Sequence, residues 1–387
     1  MANLGLLAGV SVLLAFLAWR ARRFLSALEA VLPATDPSGP NPLVSVVVPA
    51  RNEAANVGRC LRSVLDQDYP ALEFVAIDDN STDDTPAILA ACAAADPRLT
   101  VLRGAPLLPG WTGKNFALAQ AAAQASGEWL LFLDADTWLH PAAVRSAVAH
   151  ALERRLGLLS LVTQQELGGF WERVLQPVVL LVIGLALPLQ AIGDPRRPRV
   201  AYANGQFLLV RRAAYEKVGG HAALRTAVVE DSALARAVKQ AGYTVQLADG
   251  RSLVYIRMYR GLAEMWQGWS KNSFLSLGRR LRNVALLVLA VSVAVLAPPA
   301  ILVAALGNLA LHGAADSAAI VTSLVAGLQL AVVFYLAWRN EQEVGVPGRY
   351  AFTMPLGAML FNALVCYSAY RVLSGRGVRW KGRLYSP

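Results

Sequence analysis

The stretch that most constrains this chain is Trp129-Leu-Leu-Phe-Leu-Asp-Ala-Asp-Thr137, an apolar run that halts at two carboxylates, Asp134 and Asp136. A short run that is apolar throughout reads as a strand buried on both faces. Positions two apart on a strand share a face, so both acids point into one crevice if the strand ends here at its carboxyl edge. Hard oxygen ligands in that position suit Mg2+ or Mn2+ held together with phosphate groups. The alternative is a polar strand end that only begins the next turn, and Asp-x-Asp spacing alone does not choose between the two.

The neighbouring segments carry the same grammar. Leu43-Val-Ser-Val-Val-Val-Pro49 is a β-branched strand, followed by Ala50-Arg51-Asn52-Glu53 as a loop opening a helix through about Leu65. Glu73 to Ile77 is a second strand, ending in Asp78-Asp79-Asn80-Ser81-Thr82-Asp83-Asp84-Thr85 before a helix through Ala95. Leu99 to Leu102 is a third, followed by the loop Gly104 to Thr112 and a helix from near Lys114. Alternation of strand and helix predicts an α/β fold, a mainly parallel Rossmann-like sheet covered by helices. Ligands of such sheets bind outside the carboxyl ends of the strands. Arg51-Asn52-Glu53, Asp78-Asp79, Trp111 to Asn115 and the two acids of the opening stretch all fall there. Further on, Val200 to Val210 reads as a strand with a close backbone approach at Asn204-Gly205-Gln206, and Val229-Glu230-Asp231 precedes a helix from about Ser232 to Gln240.

Hydrophobicity is concentrated at the two ends. Leu4 to Trp19 is almost wholly apolar and is followed by Arg20, Arg22 and Arg23. It has no basic start and no small-residue cleavage site, so residues 1–24 read as an uncleaved transmembrane anchor, with everything after it on the cytoplasmic side of the cell (inner) membrane. Residues 25–42, with the Pro/Ser/Gly-rich stretch Pro33 to Pro42, read as a linker and 43–272 as the soluble domain. Residues 273–373 hold about three further spans, Val284 to Leu309, Ala318 to Trp338 and Phe352 to Leu373, each close to the roughly 20 residues a bilayer requires. The basic tail, 374–387, prefers the cytoplasm, which strict alternation of spans does not allow. Either one segment is re-entrant or Pro298-Pro299 splits a hairpin. Within 170–192, the run Val174 to Leu189 is broken by Pro177, Gly184 and Pro188. A true crossing there would put Asp231 and Asp134 on opposite sides of the bilayer, so it reads as an interfacial or dipping helix, with a buried core helix as the alternative. The net charge of +10 fits attraction to anionic headgroups, and no basic motif with interleaved aromatics points to nucleic acid. Cys60, Cys92 and Cys366 have neither metal-ligand spacing nor a disulfide framework, as expected in a reducing compartment.

Four segments together resemble the family 2 glycosyltransferases of the GT-A fold. They are Val-Ser-Val-Val-Val-Pro-Ala-Arg-Asn-Glu (44 to 53), Ile-Asp-Asp-Asn-Ser-Thr-Asp-Asp-Thr (77 to 85), Gly-Glu-Trp-Leu-Leu-Phe-Leu-Asp-Ala-Asp (127 to 136) and Val-Glu-Asp-Ser-Ala-Leu-Ala (229 to 235). The resemblance implies a nucleotide-sugar donor, UDP- or GDP-linked. It assigns Pro49, Arg51, Glu53, Asp78 and Asp79 to the nucleoside, Asp134 and Asp136 to the metal, and Asp231 to the general base with Glu230 beside it. It also implies an acceptor pocket bordered by Asn204, Gly205 and Gln206. Asp78 and Asp79 could instead cap the next helix, the reading favoured for Asp83 and Asp84, and an acid at position 231 could only complement a helix dipole. Trp111-Thr-Gly-Lys-Asn115 is similar to sequences of a membrane-bound branch resembling hopene-associated and carotenoid glycosyltransferases. Lys114 there meets the diphosphate or is a solvated loop lysine. His221 reads as a turn residue.

The Gln-x-x-Arg-Trp of processive members is absent, while Trp266-Gln-Gly-Trp269-Ser-Lys271 stands in that region. Gln267 and Lys271 could take over part of its work, Trp269 and Lys271 are expected at the acceptor pocket, and Trp266 and Trp269 equally suit an interfacial belt. The resemblance therefore implies an inverting, metal-assisted enzyme that passes one sugar to a membrane lipid such as a hopanoid, carotenoid or polyprenyl phosphate. A processive polysaccharide synthase and a non-catalytic membrane scaffold are the rival readings.

Overall fold

In the computed structural model the described residues are 2–25, 28–34, 41–312 and 316–385. They form two compact units, one of Ala27–Glu166 with Pro188–Met258, the other of Met1–Ser26, Leu167–Leu187 and Tyr259–Pro387. Residues 35–40 of the expected linker and the end of the basic tail, 386–387, lie outside the described residues.

The first unit is built on a seven-stranded sheet in the order Leu99–Arg103, Leu72–Asp78, Val44–Ala50, Trp129–Leu133, Phe207–Arg211, Leu158–Val162 and Val245–Asp249. All neighbours are parallel except Phe207–Arg211, which runs antiparallel to both of its own. The mainly parallel sheet expected from strand and helix alternation is therefore present. The unbroken apolar run is explained by two-sided burial. Trp129, Leu131 and Leu133 enter one hydrophobic core, with Val57, Leu61 and Val144, whereas Leu130 and Phe132 enter the other, with Leu118, Ala121 and Leu234. Burial of each large side chain contributes roughly 1.5–3 kcal/mol. The far edge is covered by the chain before the domain, where Val31 N–H donates to the Asp249 carbonyl at 2.8 Å and Asp249 N–H returns to Glu29 at 2.8 Å. An edge strand covered in this way is closed to pairing with another chain.

Antiparallel pairing has one consequence for the site. Because Leu133 pairs with Phe207, the residues before Phe207 stand at the same sheet edge as those after Leu133. The expected strand Val200 to Val210 is correspondingly short, since only Phe207–Arg211 is strand. Asn204 leaves the ladder because its N–H donates to the Ser160 hydroxyl at 2.7 Å, and Phe207 N–H turns back to the Asn204 carbonyl at 3.4 Å.

The second unit is helical. Three of its helices, Leu281–His312, Ser317–Val344 and Gly348–Leu373, are long and apolar enough to cross a membrane. The helix Ala2–Leu25 has Leu7–Arg20 as its described apolar stretch, and Gln329 donates to the Leu7 carbonyl at 2.8 Å. Pro298-Pro299 does not split a hairpin. A π-helical turn, Ser292–Leu296, widens the spacing so that Ala297 N–H reaches the Ser292 carbonyl, and both prolines follow it directly, where the wider turn relieves the clash a proline makes with the turn before it. The helix Phe170–Ala186 lies in this unit and buries Val174, Leu175, Val178 and Val179, while Phe170 and Trp171 at its start stay exposed. The boundary after Met258 falls before residue 272, so Trp269 and Lys271 belong to this unit as well.

Candidate active site

Two loops at the carboxyl edge of the sheet are tied to one another through side chains. After Val44–Ala50, the Arg51 guanidinium donates to the carbonyls of Asp79 at 2.6 Å and Asn80 at 2.8 Å. Asn52 N–H donates to the Ser81 hydroxyl at 3.0 Å, and Thr82 N–H returns to the Asn52 side chain at 2.8 Å. Asn52 and Asn80 both sit at positive φ, 51° and 55°, a conformation asparagine tolerates better than most residues. Glu53 and Asp79 are buried here. Asp78 accepts the N–H of Ser81 at 3.0 Å, which is a turn role, and Asp83 accepts Thr85 N–H at 3.0 Å at the start of the next helix, while Asp84, at the N-cap position, makes no side-chain capping bond.

Behind this edge stands Cys60, whose thiol lies 3.7 Å from the Asp134 carbonyl. Burial pushes the Cys60 thiol up, and the carboxylates of Asp136, Glu53 and Asp134 push it the same way. Acids of the opening stretch and of the first loop thus all act on one buried thiol.

The centre of the site is a cleft lined by Pro49, Lys114, Asp134, Gly205, His221, Glu230 and Asp231, with Leu118, Phe132, Leu133 and Leu208 as its apolar walls. Lys114, in the first turn of Gly113–Gln124, places its ammonium 2.7 Å from Asp134 Oδ1 and 2.7 Å from Glu230 Oε1. It is neither a solvated loop lysine nor isolated from the acids. Burial works against its charge, but Asp134 and then Glu230 outweigh that and hold its pKa well above the ordinary lysine value. The rest of the motif fixes the approach to Glu230. Thr112 N–H donates to the Arg225 carbonyl at 2.7 Å, and the Asn115 side chain donates to Leu224 and Ala227.

Asp231 begins Glu230–Gln240 and accepts two backbone donors, Gly205 N–H on Oδ2 at 2.9 Å and Ser232 N–H on Oδ1 at 2.6 Å. Burial, then the charge of Glu230, pushes its carboxyl up to about 7, against the pull of Lys114 and of those two donors. A carboxylate of that kind both takes and holds a proton near neutrality. The Tyr202 hydroxyl is pushed up by burial and then by the Asp231 charge. Gly205 is needed for the close approach, since a Cβ there would stand 3.2 Å from Lys114 Nζ and 3.3 Å from Asp231 Oδ2.

Asn204 and Gln206 turn inward. Asn204 donates to Gln206 Oε1 at 2.9 Å, the Thr163 hydroxyl reaches the same oxygen, and Gln206 is buried. Of Asn204, Gly205 and Gln206, only Gly205 is among the residues lining the cleft. Trp269, on Leu262–Ser276, donates to Gln176 at 2.9 Å within the helical unit. His221, read as a turn residue, is buried in the cleft wall instead. Its Nδ1 meets the Tyr215 hydroxyl at 2.9 Å and its ring packs edge-on to Phe132. Burial and the nearby Lys114 lower its pKa to about 4, with Glu230 opposing, so it is neutral near pH 7.

Among the described residues no three His, Cys, Asp or Glu side chains gather into a metal cage. The donor set at the strand end, Asp134 and Asp136, still fits a small hard cation, because Mg2+ is commonly held by one or two carboxylates with phosphate oxygens and water completing the shell.

Residues 45–219 match the family model described as Glycosyl transferase family 2. Two curated relatives are the 4,4'-diaponeurosporenoate glycosyltransferases of Staphylococcus aureus strains MRSA252, 29% identical, and USA300, 28% identical, each over 234 residues and 59% of this chain. The chain spans 60% of the length of these relatives. Among solved structures, the mannosyltransferase PcManGT from Pyrobaculum calidifontis, in complex with GDP-Man and Mn2+, aligns with a TM-score of 0.56 at 22% identity, covering 96% of this chain and 97% of its own. At that identity the likeness is one of fold.

Proposed function

We propose that this chain, whose residues 45–219 match the glycosyl transferase family 2 model, is a member of that family and moves one sugar from a nucleotide sugar to a membrane lipid with inversion at the anomeric carbon. The observation that carries the reading is the Lys114 bridge, which links Asp134 to Glu230, the neighbour of Asp231, across 2.7 Å on each side. A base and a phosphate-binding edge far apart in sequence thereby share one cleft. The curated relatives are named for a diaponeurosporenoate, which favours a carotenoid-like acceptor. The three apolar helices support a multi-pass membrane protein, and Arg20 to Arg23 favour a cytoplasmic catalytic unit.

In this mechanism the Asp231 carboxylate accepts the acceptor hydroxyl proton as that oxygen attacks the anomeric carbon. The bond from that carbon to the phosphate oxygen breaks on the opposite face, and its electron pair leaves with the nucleoside diphosphate. Gly205 and Ser232 N–H groups orient the base. Pro49, Arg51, Glu53, Asp78 and Asp79 form the nucleoside edge, and Lys114 serves the diphosphate. Asp134 and Asp136 would hold Mg2+ or Mn2+, which when bound neutralises charge on the leaving diphosphate.

The test is incubation of the purified protein with labelled UDP- and GDP-sugars, Mn2+ and total membrane lipid, followed by identification of the product. A single glycoside of a lipid supports the reading. Long polymer would favour a processive synthase, and absence of both transfer and donor hydrolysis would favour a scaffold.

A further inference from the structure

The Lys114 ammonium stands where the reading above needs metal and phosphate charge to be, and three features of its surroundings bear on what happens when they arrive. Its two contacts, to Asp134 and Glu230, are equal at 2.7 Å, so it is shared rather than held by one partner. Lys114 and Asp231 both crowd Gly205, where even a methyl group would press on the two side chains. The walls are Leu118, Phe132 and Leu208, and apolar walls strengthen every charge interaction between them.

A divalent ion that took an Asp134 oxygen while the ammonium stayed would face a like charge at close range. If the ammonium withdrew without a new anion, Glu230 and Asp231 would lose their nearest cation. A nucleoside diphosphate relieves both conflicts, because its oxygens accept the ammonium and complete the metal shell.

We infer that Lys114 is a placeholder cation: in the protein without donor it occupies Asp134, so that a divalent ion alone binds poorly and binds together with the nucleoside diphosphate. This rests on the reading of Asp134 as a metal ligand. Since coupling between two ligands is reciprocal, the metal strengthens donor binding by the same factor.

The experiment is a titration of the full-length protein in detergent with Mn2+ and no nucleotide, with unbound Mn2+ read by its paramagnetic resonance signal. Lys114→Gln, which keeps a hydrogen-bond donor and removes the charge, is expected to bind Mn2+ at least about tenfold tighter than the unsubstituted protein. Lys114→Arg is expected to stay weak, and adding Asp134→Asn to the Gln variant is expected to abolish the gain. Affinity in Lys114→Gln equal to or weaker than that of the unsubstituted protein would overturn the placeholder. If the gain survives Asp134→Asn, the metal reading itself is wrong and the inference falls with it. A second measurement needs no substitution: saturating Mn2+ without nucleotide should speed acetylation of Lys114, followed by peptide mass spectrometry, and an unchanged rate overturns the proposal.

Discussion

Gly205 N–H donates to Oδ2 of Asp231 across 2.9 Å, and this bond joins the turn before the antiparallel strand to the start of the helix Glu230–Gln240. An asparagine at 231 can still accept that N–H through its amide oxygen but cannot take a proton from an alcohol. Asp231→Asn should therefore lower transfer by about 10²- to 10⁴-fold, the usual worth of a general base, with nucleotide affinity largely unchanged. Transfer rate and nucleotide Kd are the two readings, and wild-type turnover in the variant would remove Asp231 from the role.

The same carboxyl sets a pH dependence. With burial first and Glu230 second pushing it up to about 7, it acts as a base only when deprotonated, so the transfer rate should climb between about pH 6 and 8 and then level. For stability the sign is opposite. The folded pKa lies above the ordinary 3.8, so the folded state binds the extra proton, and the contribution is complete below about pH 4 and lost as pH rises through about 7. Melting temperature should thus fall less between pH 5 and 8 in Asp231→Asn than in the unsubstituted protein. Parallel melting curves for the two would contradict the shift.

The carboxyl-edge acids were legible because two-sided burial leaves a continuous apolar run that ends where the sheet meets solvent. Asp134, Glu53 and Asp231 could be found from that pattern and the family resemblance together. Lys114 could be found as a motif but not as a bridge, since its two partners come from a strand and a helix that only the fold brings together. His221 gave no signal, because a glycine pair before it reads as a turn and its burial depends on Phe132 and Tyr215. Asn204 and Gln206 stand off the cleft lining for a local reason. Polar residues beside a glycine look exposed, yet Ser160 on the adjoining strand and Thr163 just after it engage them internally.

Asp134 and Asp136 bear on metal dependence. Asp134→Ala or Asp136→Ala should abolish the part of turnover that Mn2+ supports, and chelation of the unsubstituted protein should lower its rate to a similar level. Asp134→Ala has a second effect, since it leaves Lys114 with Glu230 as its remaining ion-pair partner of the two. Rates measured across a Mn2+ series should be flat for both variants. A metal response that persists in both would move the ion elsewhere.

Lys239 offers a test of the scaffold behind the base. It lies on the same helix as Asp231, is 5% exposed, and donates to the carbonyls of Ala191 at 2.8 Å, Ile192 at 2.6 Å and Val200 at 2.7 Å. A single ammonium thus gathers both ends of the segment that leads to Gly205. Lys239→Met keeps most of the stem and removes every donor, leaving three carbonyls to find water or remain unsatisfied. The expected loss is about 2 kcal/mol of unfolding free energy, since one buried group without its partner costs roughly 1–3 kcal/mol and part of the segment can relax toward solvent. Urea denaturation measures the loss, and amide exchange should quicken at Gly205 because the bond to Asp231 depends on the same segment. Unchanged stability together with unchanged exchange at Gly205 would show that the three carbonyls are held in place without Lys239.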